Sequence, residues 1–392
     1  MNKAFAAACG GLLIAALMAG CGTAVAPPSA ARSATASASP SSPRATTPAV
    51  PASVTRPSGG PVPAGFRAAS VTFVSALEAF ALGTAPCQHA PCTSIVRTGD
   101  RGVSWHGLPA PVVPLGEPGV TGTGPAVWGI RFATPEYGFV FGNGLWVTTD
   151  GGEHWSAAAH PVGSIVSLEI IGRQVLAVTM RSGAVGTASW ALLRRPLAGG
   201  AWTRLVTSAS AIGNIATQGR VAALIDGTSV LVTDNGGLTI TRHALPCTVS
   251  PFPAPTSVAV QAPRGLALLC TGQGYTGHTD KTVYVSGDLG ATWKLAGHPS
   301  SAGDGGLIAA AAPGHLTIAT TSAASWLYYS ADNGKTWRTL VTYPDGGQGW
   351  NDLGFTTIHD GVVIHGHPYY GDMLGQLLLT GNGGQTWQVV RF

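Results

Sequence analysis

The sequence predicts an all-β protein: a seven-bladed β-propeller of four-stranded antiparallel blades, preceded by a disordered linker. Three observations predict it. Of 392 residues, 55 are Gly and 28 are Pro, while only 10% are charged; this suits tight turns and deprives long helices of their usual formers. A short motif with an acid, a glycine and a tryptophan recurs at an average spacing of 47 residues, the length of one blade. Between the motifs lie short apolar segments bounded by Gly, Asn and Asp, the pattern of strands joined by hairpins. Disorder throughout is excluded, because 45% of the chain is apolar and 11 residues are Trp.

Residues 1–20 read as an export signal. Met1-Asn2-Lys3 is a short positive start, and Ala4 to Gly20 is almost wholly apolar and small, too short for a confident membrane span. It ends in Leu17-Met18-Ala19-Gly20-Cys21. That string resembles the bacterial lipobox, which implies a lipidated Cys21 as the mature N-terminus and a lipid anchor on the outer face of the cell membrane. Residues 21–65 then form a tether. Of residues 22–65, 33 are Ala, Pro, Ser or Thr and none is aromatic, too little apolar surface to order the segment.

Four cysteines remain in 66–392: Cys87, Cys92, Cys247 and Cys270. An even number in an exported domain predicts two disulfides. Cys87–Cys92 closes a short loop, leaving Cys247–Cys270. A zinc half-site lacks a second half with matching spacing, and no metal or other cofactor is expected.

The folded region opens each repeat's last hairpin with one motif. Thr98-Gly-Asp100-Arg-Gly102-Val-Ser104-Trp105 is followed by Thr148…Asp150…Gly152…Trp155, Ser286…Asp288…Gly290…Trp293 and Ser330…Asp332…Gly334…Trp337. Thr380…Asn382…Gly384…Trp387 has Asn for Asp; Asp234-Asn-Gly236 lacks the Trp, with Thr239 at its place; Leu197 to Trp202 has lost the acid. An Asp carboxylate accepts turn N–H groups, Gly permits positive φ, and Trp buries a large face between units. Asp100, Asp150, Asp234, Asp288, Asp332 and Asn382 are therefore structural.

Each unit reads as strands A to D. In the second these are Val127–Phe132, Tyr137–Gly142, Gly144–Thr149 and His154–Ala158; in the last, Leu353–Thr357, Gly361–His365, Gln376–Thr380 and Thr386–Phe392. Alternating direction puts the A–B and C–D turns on one face and the B–C and D–A loops on the other. Function belongs on the second face, where the longer loops fall: 83–93, 107–124, 182–190, 272–281, 342–352 and 367–375. Their aromatic and polar residues are the candidate ligand-binding set: Tyr275, His278, Asp280, Trp350, Asp352, His367, Tyr369, Tyr370 and Asp372. Aromatics beside acids and a His can stack on a sugar or hold a peptide. His365 and His367 share a strand face but have no third metal ligand at fixed spacing.

Charge adds an exclusion. Lys3, Arg32, Arg44 and Arg56 precede residue 66, and from Phe66 onward basic and acidic residues number 17 each. A balanced domain offers no nucleic-acid footprint.

The whole of 66–392 resembles the Asp-box (BNR-repeat) propellers. Sialidases of that group would imply an Arg triad and a Tyr–Glu pair. The Arg-Ile-Pro signature is missing, Ile130-Arg131-Phe132 is not it, and Glu136 and Glu153 lie on the turn face. Ile130-Arg-Phe-Ala-Thr-Pro-Glu-Tyr-Gly138-Phe-Val-Phe-Gly142, running into Thr149-Asp-Gly-Gly-Glu-His-Trp155, looks like the photosystem II assembly-factor-like propellers. That resemblance implies a non-catalytic binding or assembly module, a monomer with a protein or glycan ligand at the cell envelope. A sialidase-like glycoside hydrolase acting on surface glycans is the alternative.

Overall fold

The computed structural model describes residues 59–392 apart from 91, 119–123, 183–186, 248–253 and 369–373. Cys21, the signal segment and the tether up to residue 58 lie outside the described residues, as do Tyr369, Tyr370 and Asp372. Seven four-stranded antiparallel sheets follow one another, each built from four consecutive strands in the order A-B-C-D. Three strands of the second and last units, Val127–Phe132, Gly361–His365 and Gln376–Thr380, have the expected bounds. The fourth strands are shorter than expected, Ser156–Ala157 and Gln388–Val389. The last inner strand starts earlier, at Trp350–Phe355.

The core is not inside the blades but between them. Each of seven apolar clusters joins two neighbouring blades, because a sheet two faces wide must cover both. Phe80, Leu82 and Ile95 of blade 1 meet Val127, Ile130 and Val140 of blade 2. Ala68, Val71 and Val96 of blade 1 meet Val362, Ile364 and Leu377 of blade 7 and so complete the circle. The motif tryptophans pack backward onto the preceding blade: Trp155 onto Leu108 of blade 1, Trp337 onto Val283 of blade 5.

The acidic turns explain the motif atom by atom. The hydroxyls of Thr98, Thr148, Thr233, Ser286, Ser330 and Thr380 accept the N–H of the glycine four residues on, at 2.8–3.1 Å. Asp332 Oδ1 accepts from Ser330 Oγ at 2.8 Å and from Thr336 N at 2.9 Å, and Oδ2 accepts from Thr336 Oγ1 at 2.5 Å. The two residues after the acid are both left-handed, as in Asn333 (φ 61°) and Gly334 (φ 88°). In blade 4 the expected Asp234 is not the turn acceptor. Asn235 takes that place, receiving Thr233 Oγ1 at 2.9 Å and Thr239 N at 3.1 Å, and Ile240 stands where the other blades carry Trp. Counting back from Thr233 fixes this register; Asp234 instead pairs with Arg264 at 3.3 Å.

In every blade the C–D turn donates one backbone N–H to a carbonyl of its own A–B turn, from Arg101 N to Leu77 O through to Gly383 N to His359 O. These turns therefore share one face, and the B–C and D–A connections share the other. Among the described residues no strand is exchanged to close the ring. Closure rests on Ala68 N to Gly375 O at 2.8 Å, and on Asn351 Nδ2 to Ala69 O at 2.8 Å. It also rests on the Phe392 ring, 4.8 Å from Phe66 and 5.2 Å from Trp105. Gly60 exchanges two backbone hydrogen bonds with Gly107, at 3.0 and 2.8 Å, and so extends the outer edge of blade 1.

Both disulfides pair as the cysteine count suggests, Cys87–Cys92 and Cys247–Cys270. The second ties the end of blade 4 to the second strand of blade 5.

Candidate functional site: the axial channel

The seven inner strands enclose a channel of about 780 Å³. They are Arg67–Phe73, Val127–Phe132, Ser164–Ile171, Ala216–Gln218, Ala254–Gln261, Asp304–Ala312 and Trp350–Phe355. Most of its wall is small or apolar, such as Ala69, Gly129, Ser167, Gly213, Ser257 and Ala309.

Charge is confined to one side. Arg131 of blade 2 donates from Nε to Glu169 Oε1 of blade 3 at 2.7 Å, and from Nη2 to Asp352 Oδ1 of blade 7 at 3.1 Å. Asp352 Oδ2 also accepts from Ser70 Oγ at 2.7 Å and Val71 N at 2.8 Å of blade 1. One guanidinium thus joins blades 2, 3 and 7, and Asp352 joins blade 1. The two carboxylates hold Arg131 firmly in its charged form against burial. Burial pushes the Glu169 carboxyl up, with Arg131 opposing. Asp352 is held at φ 48°, left-handed for a non-glycine, by these same contacts.

The mouth on the loop face carries Glu117, Pro118 and His367. Burial pushes the His367 imidazole below its usual range, with Glu117 opposing, which keeps the ring neutral at neutral pH. Channel-lining charge is therefore Arg131 against Glu117, Glu169 and Asp352.

The sequence candidates divide. Asp352 and His367 line the channel. Trp350 does not present itself to a ligand: it is 7% exposed, packs with Ala319, Leu327, Val363 and Leu378, and donates from Nε1 to Thr320 O at 3.0 Å. It begins the inner strand rather than belonging to a loop, so its ring fills the seam between blades 6 and 7. His365 is buried beside it, its Nε2 2.5 Å from Asp345 Oδ2 and its ring stacked 4.5 Å from Tyr343. That pairing commits His365 to the blade 6–7 seam, while His367 lines the channel, so the two histidines do different things. Among the described residues, the group with metal-ligand spacing is Asp150, Glu153 and His154; there His154 Nδ1 already meets Asp150 Oδ2 at 2.7 Å.

Tyr275, His278 and Asp280 are exposed but do not line the channel. The expected loop 272–281 is a hairpin, because the strands Gly265–Tyr275 and His278–Ser286 run on past the sheet. Lys281 anchors it. Its Nζ donates to the carbonyls of Thr279, Ser301, Ala302 and Gly303 at 2.6–3.1 Å, and the residue is 2% exposed. The blade 5–6 connection is wrapped around this ammonium group.

Sequence reasoning passed over Arg131 and Glu169 as site residues. The available signal was a lone charge within an otherwise apolar inner strand, Ile165-Val-Ser-Leu-Glu169-Ile-Ile171, where solvent on both faces is excluded.

Fold and site together define a seven-bladed β-propeller with a charge-lined axial channel. No family model matches the chain, and no curated protein matches it. Among solved structures, YCF48 from Cyanidioschyzon merolae is similar at 18% identity, over 83% of this chain and 98% of its own, with a TM-score of 0.55. A structure described as YCF48 bound to D1 peptide gives 18% identity, 83% and 95% coverage and a TM-score of 0.54. The GH74 enzyme of Niastella koreensis overlaps 82% of this chain and 71% of its own at 14% identity, with a TM-score of 0.27.

Proposed function

We propose that this chain is an exported, lipid-anchored Asp-box propeller that binds a peptide segment of a partner protein at the loop-face mouth of its channel, without catalysis. The channel carries the reading: a concave cavity walled largely by small uncharged residues, with a few converging charged groups, is what a binding site needs. The similar fold of YCF48, one structure of which holds a D1 peptide, supports a peptide as the ligand class. Cys21 supplies the anchor in this reading, and residues 22–65 the tether that lifts the propeller from the membrane.

A random-peptide array probed with the full chain tests the binding. Saturable binding of a subset, weakened by His367→Ala, supports it; no selective binding overturns it. Globomycin treatment or Cys21→Ser tests the anchor, which predicts loss of the protein from the membrane fraction.

The hydrolase alternative has one observation in its favour, two channel carboxylates, Glu169 and Asp352. Glycoside hydrolysis asks one of such a pair to act as acid and the other as base or nucleophile. Here Arg131 bridges the two, donating Nε to Glu169 and Nη2 to Asp352, so its guanidinium occupies the gap between them. Turnover of a fluorogenic glycoside abolished by Glu169→Gln would move the assignment to the hydrolase.

A further inference from the structure

We infer that the charged side of the channel is a subsite for a cationic side chain, lysine or arginine, of the bound peptide. The inference rests on the peptide-binding reading and adds the chemistry of the residue that enters.

Three features carry it. The first is charge balance. Among the described residues, the channel lining holds one guanidinium, Arg131, against the carboxylates of Glu117, Glu169 and Asp352, while every lining residue contributed by blades 4, 5 and 6 is uncharged. An anion entering would meet an excess of negative charge, with Arg131 already engaged by Glu169 and Asp352.

The second is the unequal treatment of the two carboxylates at Arg131. Asp352 is saturated: Ser70 Oγ, Val71 N and both terminal nitrogens of Arg131 donate to it. Glu169 receives Arg131 Nε alone among the described residues, and its side chain is 18% exposed into the cavity. A carboxylate withdrawn from bulk water with one donor has acceptor sites left over. A second cation beside it offsets its desolvation.

The third is room. About 780 Å³ stands open along the axis, against roughly 30 Å³ for one water in the liquid. Glu169 lies five residues along its inner strand from Ser164 at the loop-face end, about 17 Å at ~3.3 Å per residue, so the cation reaches it with part of the peptide inside the channel and its aliphatic stem along residues such as Gly129 and Ser167. A long apolar stem with a charged tip matches this wall, where small uncharged residues lie beside the carboxylates of Glu117 and Glu169.

The test uses the full chain with three small ligands: Nα-acetyl-lysine amide, Nα-acetyl-arginine amide and the neutral isostere Nα-acetyl-norleucine amide, titrated by calorimetry. Saturable binding is expected for at least one cation and at least tenfold weaker binding for norleucine. Glu169→Gln should weaken the cation at least tenfold. Glu169→Asp, which keeps the charge, should retain it within about threefold, separating lost charge from a disturbed fold. In the peptide array, Lys and Arg should be enriched for the wild type and not for Glu169→Gln. The inference is overturned if neither cation binds, or if both bind Glu169→Gln as well as the wild type. Selective peptides without Lys or Arg enrichment would overturn it and leave the peptide-binding reading standing. No selective peptide binding at all would remove that reading separately.

Discussion

Asp352 lies 2.7 Å from Ser70 Oγ, although 282 residues separate them in sequence. The contact crosses the seam between the last blade and the first. In a ring without an exchanged strand, such side-chain contacts carry the closure that main-chain pairing would otherwise provide. The same carboxylate holds Arg131, so the seam and the channel share one group.

Asp352→Ala should therefore act on stability as well as on the channel. It leaves Val71 N without its acceptor and Arg131 with one carboxylate, Glu169, instead of two, and weakening a partly buried ion-pair network costs about 2–4 kcal/mol. A lower urea midpoint with an unchanged m-value is the expected result. Asp352→Asn, which keeps acceptor capacity, should recover part of the loss.

The acidic turns predict a specific acid sensitivity. The Thr336 hydroxyl and backbone N–H bring the Asp332 carboxyl down to about 2; Ser104 and Thr292 do the same for Asp100 and Asp288. The folded pKa lies below the unfolded value near 4, so the unfolded chain binds more protons between the two. This stabilisation is complete above about pH 4 and lost as the pH falls toward 2. Replacing all three by Asn, as Asn382 and Asn235 already show in their own turns, should flatten that limb of the stability curve and change it little at pH 7. An unaltered acid limb in the triple variant would contradict the assignment.

Trp337→Ala should open a void between blades 5 and 6. The ring packs with Val283, Ala296 and Leu316, and its Nε1 donates to Gly334 O at 2.9 Å. Loss of about 3 kcal/mol is expected from truncating a large aromatic at such an interface, read as a drop in the thermal midpoint. Peptide binding at the opposite face should persist wherever the variant remains folded.

Lys281→Met should release the blade 5 hairpin. Met matches the length of the stem but takes the ammonium donor from the carbonyls of Ser301, Ala302 and Gly303; Thr279 N still serves Ser301 O, and Thr320 and Tyr328 still serve Ala302 O, so the loss falls most heavily on Gly303. Each unpaired buried carbonyl costs about 1–3 kcal/mol unless it reaches water. Relaxation of the loop toward solvent is the cheaper outcome. Amide exchange of residues 274–281 and 301–304 should accelerate well beyond that of the inner strands.

Turn chemistry was legible because it is local. Eight residues such as Ser330 to Trp337 contain the acid, the hydroxyls and the N–H groups that shape their hairpin, so the number of blades, the strand order and the face of the turns follow from counting. The one slip, Asp234 for Asn235, came where the Trp that marks the register is replaced by Ile240. Once Cys9 and Cys21 are set aside, the five-residue spacing of Cys87 and Cys92 made the pairing of the remaining four legible as well.

The channel was not legible in the same way. Ser70, Arg131, Glu169 and Asp352 come from four blades, and only ring closure brings them together. In sequence Ser70 and Asp352 stand beside other polar residues, Thr72 and Asn351, and even the lone charge of Glu169 does not say which distant groups it meets. Trp350 shows the converse, a loop-flanking aromatic that the register of the inner strand turns into the seam. The sequence by itself determined the repeating unit, because hydrogen bonds within a turn depend on neighbours along the chain. The tertiary structure alone decided the site, because the energy of a buried charge depends on which distant strands supply its partners.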